Sequence, residues 1–584
     1  MLFGAEGADH DIRLKKLVSL GPQATGNGYQ GRHGVLQLNQ VLVLLQPLIP
    51  KLRTPNPIHL IPISNQLGEN KRKEKKETNI PTFNTHKTLT MSQPPRLYPS
   101  SPRDALVSQY VGQPLSALPT PAAVLDVAAV RRNCARMLSC ARDLGLQWRA
   151  HVKTHKTAEV TRLQVGDSDA DGPARIVVST LEEAEFLLPL LREYGGRGRP
   201  VNVLYGLPLP PGQLARLAAL GRELGPGSIS VLVDHPAQLE CLEKFAQAGA
   251  DARVVPHAYI KIDMGGRRAG VQLESAAFTA VVEAALRAHD AGAVVLSGLY
   301  SHAGHSYAGD SRAAAVAMMA AEIGALVRAA DAVVEARAAG AGKGLPPLVL
   351  SAGASPTALA VQNLLSGEME QMASGAGMPD DAGAPRQLMA AVLDLGALLE
   401  EVQEKGHVAE MHAGVYPLLD MQQLAARSTA RSALSWRDVA LTVLAEVCSV
   451  YPGRGDGGTP EALCGAGGLA LGREFCKAYP GMAVVSPWGR ADAAGTPLAL
   501  PDCDVEDYEG WMVGRFAQEH GILTWRGRSG EGVVDELAVG QKIRLWPNHA
   551  CITSSHFGWY FVVDSDRVGK EDEVVDIYIK TRGW

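Results

Sequence analysis

The chain has no cysteine framework. Its eight cysteines, Cys134, Cys140, Cys241, Cys448, Cys464, Cys476, Cys503 and Cys551, show no CxxC spacing over 584 residues. A disulfide scaffold is therefore not expected, whereas a reducing compartment, the cytoplasm, is. Long apolar runs are missing near the N-terminus: Val41 to Leu45 is broken by Gln46 and Pro47, far short of the roughly 20 residues of a spanning helix. Acidic residues in Met1 to Asp11 stand where a signal peptide would be basic. Nor is one sign of charge in large excess, the formal net charge being −5. Neither nucleic acid nor a membrane is expected as a partner.

What is present suits a soluble globular protein, with 46% apolar and 20% charged residues, and the length implies at least two domains. Residues 1–95 lack sustained periodicity and include the charge run Asn70 to Glu77, which reads as a disordered extension. Met91-Ser92-Gln93-Pro94-Pro95 reads as a native start, in which case the preceding residues come from a misassigned codon. Residues 96–121 are expected to pack on a C-terminal β domain.

From Leu118 short β-rich runs alternate with alanine-rich helical stretches. Ala122 to Asp126 reads as a strand and Ala128 to Asp143 as an amphipathic helix. Eight further runs follow: Gln147–Lys153, Arg175–Ser179, Val201–Tyr205, Ile229–Asp234, Tyr259–Asp263, Val294–Tyr300, Leu348–Ser351 and Val408–His412. This α/β alternation predicts a (β/α)8 TIM barrel over residues 122–416. Past Tyr416 the alternation stops, and shorter β-like runs with Gly/Pro turns predict a β-rich domain over 417–584. The strand at Ala122 is surplus to the eight and is expected to pair there. Ser366–Gln387 and Pro452–Gly468 read as surface insertions.

Loops after the strands of such a barrel face its active site. The first run ends in His151-Val152-Lys153-Thr154-His155-Lys156, a candidate reactive lysine or a solvated cluster. The seventh and eighth lead into Gly353, Ala354, Ser355 and Thr357 and into Gly414, Val415 and Tyr416. Small residues there suit a phosphate, either loop alone being equally a permissive turn. A lysine facing a phosphate rim suggests pyridoxal 5'-phosphate, with Tyr300 and Tyr307 either lining the ring or packing at the barrel mouth. His302 and His305, three apart in a loop, read as solvated or supporting histidines rather than a metal pair. His549 and Cys551, two apart on a strand, would point to one side and could hold zinc; the alternative is a buried cysteine beside an exposed histidine. His556 is a weaker candidate ligand or simply closes the turn.

In this order the segments His151 to Lys156, Ser301 to Tyr307, Ser351 to Thr357 and Pro547 to Cys551 resemble the eukaryotic-type D-serine dehydratases. That family stands with the D-threonine aldolases among fold-type III pyridoxal-phosphate enzymes on the alanine racemase barrel. The resemblance covers roughly Pro114 to Trp584. It implies that Lys153, not Lys156, is the Schiff-base lysine and that Tyr300 and Tyr307 line the pocket. Phosphate and ring contacts come, on the same basis, from Gly353, Ala354, Ser355, Thr357, Gly414, Val415 and Tyr416. His549 and Cys551 match the zinc ligands. The implied substrate is a small D-amino acid, D-serine, converted to pyruvate and ammonia by a homodimer. Val415 departs from the family, where a polar residue is expected. The rival readings are a D-threonine aldolase, which would carry a carboxylate at Cys551, and a non-catalytic pyridoxal-phosphate carrier.

Overall fold

The computed structural model describes residues 99–168, 171–248, 254–365, 385–492, 494–527 and 536–584. The expected extension over 1–95, the candidate start at Met91 and most of the insertion Ser366–Gln387 lie outside them; that stretch ends inside a helix, Pro385–Glu404.

The strand β1 (Ala122–Asp126) precedes eight parallel strands, β2 (Gln147–His151), β3 (Ala174–Val178), β4 (Val201–Pro208), β5 (Ile229–Val233), β6 (His257–Lys261), β7 (Val295–Tyr300), β8 (Val349–Ala352) and β9 (Val408–Ala413). They close in sequence order, with β9 pairing back onto β2 through Ala150 and Ala413. Four of the crossover helices start where a hydroxyl satisfies a free N–H: Thr157 accepts from Val160, Thr180 from Glu183, Ser275 from Phe278 and Ser311 from Ala314. Val177, Leu204, Leu232, Tyr259 and Tyr300 fill the barrel as one apolar layer. Beneath the mouth, buried Arg149 donates to Glu410 at 2.7 Å and to Asn202 at 2.6 Å, so neither buried charge is left alone.

The C-terminal domain holds β10 (Leu441–Tyr451), β11 (Glu461–Cys464), β12 (Ala483–Val485), β13 (Gly510–Phe516), β14 (Gly521–Arg526), β15 (Lys542–Pro547), β16 (Trp559–Val563) and β17 (Asp576–Ile579). β1 lies between β10 and β16, antiparallel to one and parallel to the other. The stretch 122–416 therefore loses its first strand to the other domain. Ala122 to Leu125 are buried on both faces, and their pairing partners are β10 and β16, because β2 to β9 already close on themselves and leave no free edge. The helix Arg103–Tyr110 packs on this sheet, Tyr110 meeting Phe561 edge-on at 5.1 Å.

The insertion expected at Pro452–Gly468 is only partly an excursion. Its second half is β11, which pairs with both β10 and β14. That double pairing closes β11, β14, β13, β12, β15 and β10 into a smaller circuit around Trp511, Leu523 and Leu545.

Candidate active site

The turn after β2 carries Lys153, and the C-terminal domain grips it from behind. Ser554 donates to the Thr154 carbonyl at 2.6 Å, Lys580 to that of His155 at 3.1 Å, and the Thr581 N–H to that of Lys156 at 2.9 Å. Tyr560 also reaches the His155 carbonyl at 3.3 Å and accepts from Lys580 at 2.7 Å. Burial, with Lys156 nearby, holds the Lys580 amine well below the usual lysine range. Lys156 sits 3.1 Å from the buried carboxylate of Glu183. Among the described residues the half-buried Lys153 ammonium has no such partner, and its charge acts on His151, His302 and Cys551.

Three histidines ring the same space. His302 shares a hydrogen bond with the Gly353 carbonyl at 2.7 Å, and His412 stacks on Tyr300 with centroids 4.1 Å apart. His412 Nδ1 shares a 3.0 Å bond with Ser351, whose hydroxyl donates to Glu410 at 2.8 Å. Burial first, then neighbouring positive charge, holds His151, His302 and His412 well below the usual imidazole range, so they are neutral. Lys261, at the end of β6, places its ammonium 4.4 Å from the Tyr300 ring centre. Burial and then the Arg268 guanidinium bring its pKa to about 7. Burial keeps the phenols of Tyr300 and Tyr307 protonated.

The two small-residue loops meet each other. Ser355 accepts from the Val415 N–H at 2.9 Å and interacts with the Tyr307 hydroxyl. Gly353 has φ +144°, and a Cβ there would lie 2.2 Å from the His412 carbonyl oxygen; at Gly414 it would lie 3.0 Å from that of His151. Only glycine permits the first approach, and the second is tighter than most Cβ contacts. Gly353→Ala is accordingly expected to cost about 3 kcal/mol or more and to lose cofactor uptake. Gly406→Ala, where φ is also positive but nothing lies within 4 Å, should cost about 1 kcal/mol. Thermal unfolding and cofactor absorbance of the two variants check the contrast.

Two expected contacts face elsewhere. Tyr416 packs edge-on against Trp148 at 5.4 Å, in the layer between barrel and helices, so its side chain does not line the pocket. Side chains alternate sides along β2, and with Arg149 inside the barrel Trp148 must point out. The Thr357 hydroxyl donates to Glu322 at 3.0 Å and accepts from the Ala354 N–H at 2.8 Å. It is committed behind the loop rather than into it.

The His549–Cys551 pair forms, though not on a strand. β15 ends at Pro547, and the buried amide of Asn548 donates to the carbonyls of Glu474 at 2.9 Å and Gly481 at 2.8 Å. His549 then caps a short helix, Ala550–Ser555, whose first turn carries Cys551. Cys551 Sγ lies 3.0 Å from the Thr154 hydroxyl, next to Lys153, and His549 Nδ1 is 2.8 Å from Gln422 Oε1. Buried Asp420 accepts from the N–H groups of Gln423 and Ala550. Burial opposes both charged forms, but the hydrogen bond and charge of each partner prevail: the His549 pKa rises to about 9, and the Cys551 thiol is held below its usual range. The Tyr307 ring lies parallel to His549 at 6.2 Å. His556 ends the helix, consistent with its reading as a turn residue.

This pocket suits pyridoxal phosphate. Its amine is free, its glycine loops leave a cradle, and Nδ1 of His151 and Nε2 of His412 are buried without a partner among the described residues. A thiol beside an imidazole is the kind of donor pair that suits zinc; among the described residues no third His, Cys, Asp or Glu completes a cluster. His302, Lys261 and Arg268 were not assigned to the pocket from sequence. The signal available was their place at the ends of β6 and β7.

A family model for the N-terminal domain of alanine racemase matches residues 125–371, and one for a serine dehydratase domain matches 440–563. The D-serine dehydratase of Schizosaccharomyces pombe is 34% identical over 84% of this chain and 98% of its own. D-threo-3-hydroxyaspartate dehydratase of Delftia sp. is 29% identical over 77% of this chain and 96% of its own. Its solved structure aligns with TM-score 0.57 and 28% identity, covering 81% of this chain and 100% of that one. Two solved variants of that enzyme replace a histidine and a cysteine two positions apart by alanine, and the cysteine variant is described as metal-free. With almost the whole length of the S. pombe enzyme matched across both the barrel and the β domain, the chain belongs to the D-serine dehydratase family of lyases.

Proposed function

We propose that this protein eliminates the β-hydroxyl of D-serine to give pyruvate and ammonia, with pyridoxal phosphate held at Lys153 and zinc at His549 and Cys551. The observation that carries the reading is the contact between Thr154 and Cys551, 3.0 Å from hydroxyl to Sγ. It joins the turn of the reactive lysine to the metal donors, so one small substrate can meet both. The Lys153 amine takes the proton from Cα. When bound, the cofactor supplies an electron sink for the charge left at Cα, and zinc a Lewis acid for the departing hydroxide. His549 and Cys551 hold the hydroxyl end of the pocket, with Gln422 fixing the imidazole through Nδ1. The protonated Tyr307, beside His549 and tied to Ser355, spans the distance between the hydroxyl end and the small-residue loops.

The histidine and cysteine two apart in the Delftia enzyme, and its metal-free cysteine variant, support the metal assignment. Cys551, rather than a carboxylate, favours dehydration over aldol cleavage. All eight cysteines are free thiols, which supports the cytoplasm as the compartment. The test is to incubate purified protein with D-serine and with D-threonine, with and without a chelator. Pyruvate that is lost on chelation and restored by zinc is the expected result. Glycine and acetaldehyde from D-threonine would instead make it an aldolase, and a yellow protein with no product would make it a carrier.

A further inference from the structure

The helix Arg312–Ala339 is long and apolar enough by composition to cross a membrane, yet its stripe of Val316, Met319, Ile323, Leu326, Ala330 and Val333 is buried in the barrel core. Glu322 falls within that stripe and is fully buried. A carboxylate there must be satisfied by donors, and it is. Oε1 accepts from the Ser301 hydroxyl and the Ala303 N–H, each at 2.9 Å; Oε2 accepts from the Thr357 hydroxyl at 3.0 Å. Ser301 and Ala303 flank His302, while Thr357 holds the Ala354 N–H at 2.8 Å. One buried carboxylate thus ties the loop after β7 to the loop after β8, and the bond from His302 to the Gly353 carbonyl at 2.7 Å spans the same two loops.

We propose that Glu322 is a positioning residue for the phosphate end of the cofactor: it sets the Gly353–Thr357 loop against the His302 loop without itself touching the ligand. The inference rests on the proposed function, in which that loop receives the phosphate. Three donors and no acceptor face Glu322, since the Thr357 oxygen already accepts from Ala354. A carboxylate meets this arrangement directly. A glutamine meets it only if the Thr357 hydroxyl turns to the Ala354 carbonyl, at 3.3 Å.

The test compares two ligands that differ only in the phosphate. Apoprotein of the full chain is titrated with pyridoxal phosphate and with pyridoxal, and each Kd is read from absorbance. Glu322→Leu is expected to raise the Kd for pyridoxal phosphate about 30-fold and that for pyridoxal less than about 3-fold. Glu322→Gln should stay within about 5-fold of wild type for both. Thr357→Val cuts the Oε2 tie together with the bond from the Ala354 N–H, while Oε1 keeps both its donors; it should repeat the selective loss, so it decides the matter if Glu322→Leu does not fold. Equal losses for the two ligands would reduce Glu322 to general packing, and an unchanged Kd for pyridoxal phosphate would also overturn the proposal. A wild-type protein that takes up neither ligand would overturn the cofactor reading, and this inference with it.

Discussion

Replacing Lys153 by alanine is expected to slow elimination roughly ten-thousand-fold and to remove the visible absorbance of the lysine-bound cofactor, because the group forming the covalent link also takes the α-proton. The effect should be specific to this lysine. Lys156 lies three positions on, but its ammonium is 3.1 Å from Glu183 and it has a left-handed backbone, φ 56°. Lys156→Ala should keep the absorbance and cost about 1–2 kcal/mol of stability, chiefly by leaving a buried carboxylate without its cation. Absorbance scans and thermal unfolding of the two variants separate these outcomes. The reverse pattern would move the covalent role to Lys156.

The second large effect is expected at Cys551. Cys551→Ala should keep the cofactor and its spectrum, yet lose bound zinc and about a thousand-fold in turnover, since hydroxide then leaves without a Lewis acid. Thr154→Val removes only the hydroxyl 3.0 Å from the sulfur and should cost about tenfold, as a supporting group does. Metal content by mass spectrometry, measured beside pyruvate formation, distinguishes the two. Full turnover by a zinc-free Cys551→Ala protein would remove the metal from the reaction.

Much of the barrel was legible because its signals are local. Each of the eight runs is short and followed by a helix, several of which begin at a Thr, Ser or Asp cap, and parallel strands need such crossovers. Even the surplus strand at Ala122 was correctly assigned to the other sheet. Closure of the small circuit was not legible, because β10 meets β11 and β15 at different points along its length, a pairing no local pattern announces. The reading of His549 and Cys551 as strand neighbours failed on one residue: the buried Asn548 amide turns the chain, and a helix starts at once. The pair still forms, since the first turn of that helix carries the sulfur back toward Thr154.

The candidate site divides in the same way. Lys153, the glycine loops and the His-x-Cys pair stand in continuous segments and could be named from them. Glu322 left a trace as the one acid on an apolar stripe, whereas Lys580 left none, being gathered from the far end of the chain.

The sequence by itself determined the eight-stranded barrel, the position of the candidate lysine and the residue types that could hold a phosphate and a metal, because periodicity, caps and glycines act over a few residues. Only the tertiary structure decided which lysine is free, that Thr357 serves Glu322, that Tyr416 leaves the pocket and that Cys551 touches the lysine turn. A buried polar group takes whichever partner the fold brings within about 3 Å, and for these groups that partner lies tens to hundreds of residues away.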